Sequence, residues 1–107
     1  MTTPATSNDG AAGERPALDA ASLLSDARDV LSDAVKLRRQ IHAEPELGLD
    51  LPRTQAKVLD ALAELDLQVT TGEGLSSVVA TLTGDAEGPT LLLRADMDAL
   101  PLTEDTG

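Results

Sequence analysis

The sequence predicts an α/β domain running helix, helix, strand, strand, strand, with one face of its sheet left uncovered. Three observations carry this. Apolar residues recur at three- and four-residue spacing from Leu23 to Leu65, the period of helices with one buried stripe. After Asp66 the period changes to short β-prone runs punctuated by glycine. The last run, Leu91-Leu92-Leu93, is continuously apolar, as in a strand covered on both faces.

Residues 1–18, rich in Thr, Ser, Pro, Gly and Ala, offer little to bury and read as a disordered tail. The first helix starts near Asp19. Leu23, Ala27, Val30, Leu31, Ala34, Leu37, Arg38 and Ile41 form its stripe, with Asp26, Asp29, Asp33, Lys36 and Arg39 mostly between them. Its acidic first half and basic second half suit the helix dipole. Pro45 disfavours helical geometry at Glu44, so the helix ends near Ala43. Pro45 to Leu49 is a turn in which Gly48 supplies a positive φ. Asp50 is the expected cap of a second helix, with Pro52 in its first turn and Val58, Leu59, Leu62, Ala63 and Leu65 as its stripe, ending near Asp66. Strands are expected at Leu67–Thr71, Ser77–Thr83 and Thr90–Ala95, separated by Thr71–Gly74 and Gly84–Pro89. Two helices cover one face of such a sheet and not both, which implies that further sequence completes the domain.

Composition narrows the function. Nineteen acidic against eight basic residues argue against nucleic-acid binding, which needs a basic face, and against anionic membranes. Solvated carboxylates on helix surfaces account for the charge without a partner. There is no Cys, hence no disulfide, thiolate nucleophile or zinc ribbon, and no aromatic residue to thicken the core. The start of the chain lacks the basic and apolar regions of a secretory signal, and no run approaches the roughly 20 apolar residues of a membrane span, so a cytoplasmic location is expected.

The chemistry-bearing segment is Arg94-Ala95-Asp96-Met97-Asp98-Ala99-Leu100-Pro101. On an extended strand Arg94, Asp96 and Asp98 project from one face, at the strand's carboxyl end, where open α/β sheets place ligands. Two carboxylates there ligate a hard cation or orient a histidine on a transition metal. The plainer alternative pairs Asp96 with Arg94 and lets Asp98 begin a turn. His42, the only histidine, suits a backbone carbonyl or the helix dipole better than a metal, since one His and no Cys cannot make a zinc site.

Two blocks together are more specific. Leu37-Arg38-Arg39-Gln40-Ile41-His42-Ala43-Glu44-Pro45-Glu46-Leu47-Gly48, with Thr54 following, resembles the opening signature of the aminoacylase, hippurate hydrolase and indoleacetyl-amino-acid hydrolase branch of the metallopeptidase-like amidohydrolases. Leu93 to Leu102 resembles that family's next landmark, and Gly72-Glu73-Gly74 and Val78 to Leu82 fall where it has a turn and a strand. The resemblance covers about residues 22–107 and implies that 19–107 is the incomplete N-terminal part of a mixed-sheet catalytic domain. That domain holds two divalent metal ions, zinc or manganese, in a full-length enzyme that commonly dimerises. The implied reaction is hydrolysis of the amide bond of N-acyl amino acids or related small amides, with metal Lewis acidity and a glutamate general base. Carried over residue by residue, Asp98 orients a metal-ligating side chain, and Asp96 is close to the site without being a ligand. The Cys, His and Glu machinery falls beyond Gly107, so no metal and no catalysis are expected of this chain alone. Leu49 and Asp66 stand where Phe and Gly are common in that family, and an Asp can still take a left-handed cap, so the departures leave the implied fold intact.

Two other readings compete. A haloacid-dehalogenase-type phosphatase also places Asp-x-Asp after an apolar strand, but Leu100 stands where that motif has Thr or Val, and the motif comes late in the chain. A non-catalytic helical interaction module would use the Leu23 to Ile41 stripe.

Overall fold

The computed structural model describes residues 17–105, so the expected tail lies outside the described residues except for exposed Ala17 and Leu18. Four elements follow in order: α1 (Ala20–Ala43), α2 (Pro52–Leu62), β1 (Gln68–Thr71) and β2 (Val78–Thr81). The chain divides after Asp33 into two units. Among the described residues the first holds the start of α1, and the second holds everything that bears on the site.

Helix α1 begins where Asp19 caps it. Its carboxylate accepts from the Ala21 N–H at 3.1 Å, satisfying one of the free donors of a first turn, and its carbonyl takes the first helical bond, from the Leu23 N–H at 3.0 Å. It ends at Ala43, just ahead of Pro45. The stripe is less covered than its period suggests. Val35, Leu37 and Ile41 are half-buried, whereas Leu23, Leu24, Val30 and Leu31 are exposed.

Gly48 takes φ +78°, the turn conformation expected of it. The second helix corrects the expectation at both ends. Its cap position is Leu51, which has no side-chain acceptor, so Asp50 is not the cap. The Glu46 carboxylate fills that role from outside the helix, accepting from the Arg53 N–H at 3.2 Å and the Thr54 N–H at 2.6 Å. The turn at Gly48 brings a longer acidic side chain back over the first turn, where the dipole favours negative charge. At the far end α2 stops at Leu62. Ala63 bonds back to Asp60 at 3.3 Å and Leu65 to Leu62 at 3.1 Å, tighter three-residue turns that use up the last carbonyls before Asp66. No non-glycine residue among those described has a positive φ, so Asp66 does not take the left-handed cap.

β1 and β2 pair antiparallel, Gln68 opposite Thr81 and Thr71 opposite Val78, and α2 packs against β2. Gly72 closes the loop by donating to the Ser77 carbonyl at 3.2 Å, and a Cβ there would run into Ser77 Oγ and the Leu75 carbonyl. The third strand does not form. Residues 82–100 hold no helix or strand, and Leu91, Leu92 and Leu93 are 83%, 84% and 86% exposed. A run apolar on both faces gains from pairing only when both faces become covered, and among the described residues α2 is the only layer beside this hairpin. Without burial, pairing would not offset the entropy of ordering the backbone.

The buried core is correspondingly small. It consists of Leu51 and Thr54 at the start of α2 and Ser76 ahead of β2. Hydrogen bonds stitch it together. Leu51 N–H donates to Ser76 Oγ at 2.8 Å, Ser76 N–H to the Leu49 carbonyl at 2.9 Å, and the Gln55 carboxamide to the Ser77 carbonyl at 3.2 Å.

Candidate functional site

The two sequence blocks meet in space. The segment carrying Asp98 runs past the carboxyl end of α1, held there by a hydrogen bond from the Ala99 N–H to the Glu46 carbonyl at 2.7 Å. Further along, Glu104 Oε2 lies 2.5 Å from His42 Nε2, in the last turn of α1. His42 thus sits at the helix terminus as expected, but its partner is a carboxylate in place of a carbonyl. Sequence gave no hint of Glu104, because nothing in its spacing singles it out.

Between these two attachments lies an open groove of about 870 Å³, lined by Arg38, Ile41, His42, Met97, Asp98 and Leu100 among others. Asp98 is exposed and makes no hydrogen bond or ion pair among the described residues. Asp96 takes the plainer course: its Oδ1 pairs with Arg94 Nη2 at 2.8 Å, and it is not among the groove's lining residues. Arg94 and Asp96 thus turn toward each other, as alternate residues of an extended segment can, while Asp98 lines the groove without them.

The turn between α1 and α2 carries the electrostatics. Glu44 Oε1 lies 2.7 Å from Lys57 Nζ, and its other oxygen 3.7 Å from Arg53. The hydrogen bond and the charge of Lys57 hold the Glu44 carboxyl below its ordinary value. For Glu46, burial pulls upward, but the donors of Thr54 and Arg53 together with the Arg53 charge outweigh it, and its pKa is also lowered. The carboxylate of Glu46 thus stays ionised on the helix terminus while its carbonyl holds Ala99. Sequence reasoning placed Glu46 only in the signature. The cue was available, since an acidic residue, a glycine and a helix start stand in close succession.

No three His, Cys, Asp or Glu side chains converge on a metal-sized site among the described residues. Of the groove's potential ligands, His42 is held by Glu104 and Glu46 by α2, which leaves Asp98 alone among the described residues. The residues present do not by themselves fit a metal ion.

Comparison with curated proteins gives relatives along most of the chain. It is 40% identical over 85 residues to thermostable carboxypeptidase 1 of Saccharolobus solfataricus, covering 78% of this chain and 22% of that protein. It is 38% identical over 73 residues to N-acetyl-L-cysteine deacetylase of Bacillus subtilis, covering 68% of this chain and 18% of that protein. It is 37% identical over 84 residues to N-acetyldiaminopimelate deacetylase of Oenococcus oeni, covering 73% and 22%. The chain thus spans about a fifth of the length of the curated relatives it matches. No family model matches, and no solved structure matches. Relatives of this kind, in line with the resemblance the two motif blocks carry, show that the chain is homologous to part of these deacetylases and carboxypeptidases.

Proposed function

We propose that this sequence is the opening part of a metal-dependent amidohydrolase of the cytoplasm that cleaves the amide bond of N-acyl amino acids or related small amides. The carrying observation is the set of relatives named for deacetylation of acylated amino acids, together with the two motif blocks. The full-length enzyme is proposed to be a homodimer, and divalent zinc or manganese, held by residues outside this chain, would supply Lewis-acid chemistry there. Asp98 orients a metal-ligating side chain and Asp96 lies near it. Residues that bind the ions and act as base are supplied by sequence outside this chain. Carboxylates that fix a ligand's orientation change metal affinity or activity by roughly 10- to 100-fold when altered.

The test is a chimera in which this chain replaces the matching 73 residues of the Bacillus subtilis N-acetyl-L-cysteine deacetylase. It is expected to bind metal and deacetylate N-acetyl amino acids, with Asp98→Asn lowering metal affinity or turnover roughly 10- to 100-fold. A folded, metal-loaded chimera that hydrolyses none of these amides, or an Asp98→Asn form as active as its parent, defeats the reading. The chain by itself is expected to hydrolyse no N-acetyl amino acid and to bind no stoichiometric zinc. Chromogenic assay and metal analysis of the purified chain check both points.

A further inference from the structure

We propose that Glu46 is a positioning residue for Asp98, acting from two of its own atoms at once. Its carboxylate is pinned to the start of α2 by the Thr54 N–H at 2.6 Å and the Arg53 N–H at 3.2 Å. Its carbonyl accepts the Ala99 N–H at 2.7 Å, one residue beyond Asp98. A side chain fixed at the helix leaves the same residue's carbonyl little freedom. The peptide linking Asp98 to Ala99 is thereby referred to the N-terminus of α2 and not to the exposed coil that precedes it.

Neighbouring features act in the same direction. Gly48 at φ +78° lets the chain reverse so that Glu46 reaches α2 at all. Glu44, two residues earlier, is drawn to the same helix by Lys57 at 2.7 Å. Residues 82–96, by contrast, hold no element that would fix Asp98 from the other side. The inference rests on the role proposed above for Asp98, and it identifies what holds that carboxylate in place.

Amide hydrogen exchange on the full chain, read residue by residue by NMR, tests it. Glu46→Ala is expected to raise exchange at Ala99 roughly tenfold, the size that loss of a helix cap sets, while the β1–β2 amides keep their protection. Glu46→Gln, whose carboxamide oxygen still accepts one N–H, is expected to restore part of the protection. Unchanged exchange at Ala99 in Glu46→Ala overturns the inference. If that variant unfolds, Glu46→Gln decides. A selective rise at Ala99 supports positioning, whereas no rise, or an equal rise at the β1–β2 amides, overturns it. An Asp98→Asn chimera that keeps full activity removes the reading underneath, while a silent Ala99 amide removes this inference alone.

Discussion

Side chains with no conspicuous pattern in the sequence hold this chain together. Ser76 is one. Its hydroxyl is the acceptor for the buried Leu51 N–H, and its own N–H reaches the Leu49 carbonyl. Ser76→Ala leaves the Leu51 N–H buried without a partner, a cost of about 1–3 kcal/mol, to be read as a lowered urea midpoint at unchanged slope. Glu44 and Glu46 make a second prediction. Both are held below the ordinary 4.5. A group whose pKa is lowered by folding stabilises the folded form at every pH above its unfolded value, and loses that contribution as the pH falls through its folded one. Stability should therefore drop in acid below about 4.5, and the double variant Glu44→Gln, Glu46→Gln should flatten that limb in urea midpoints measured against pH. His42 was legible as a helix-end residue, but Glu104 was not, because a contact that spans most of the chain leaves no local periodicity behind.

Elements were legible where local physics decides them. Pro45 stops α1, Gly48 turns the chain, and the change of period after Asp66 marks the hairpin. Where a distant group decides, the reading failed. Asp50 had the right chemistry for a cap, but Glu46 reached the free N–H groups first. The Leu91–Leu93 run had the right composition for a strand and no layer to cover it. Two glycines test this division. Gly48→Ala forces a side chain into the left-handed region and should cost about 1–2 kcal/mol, visible in thermal melts. Gly72→Ala drives a methyl against Ser77 Oγ and the Leu75 carbonyl, so it should loosen the β1–β2 amides in hydrogen exchange while sparing α1.

Over the described residues as a whole, large apolar side chains are left facing water. Leu82, Leu91, Leu92, Leu93, Leu100 and Leu102 are all largely exposed, and only Leu51 is a buried apolar side chain. Replacing Leu91, Leu92 and Leu93 together by Ser should reduce binding of a hydrophobic dye while shifting the melting midpoint little, since exposed positions usually change stability by about 0.5 kcal/mol or less. What the sequence conveyed at this scale was the presence and order of two motif blocks, and the structure adds that they meet. What was left unread was which side of that contact bears the load, although Glu46, Gly48 and the start of α2 stand in close succession. The long exposed stretch between β2 and Arg94 has a further consequence, for cleavage. A protease meeting this chain finds peptide bonds there without a ladder to open first, so brief digestion should nick between Leu82 and Leu93. It should leave α2 and the hairpin as one lasting fragment, with the Asp98 segment departing once Glu46 and His42 let it go.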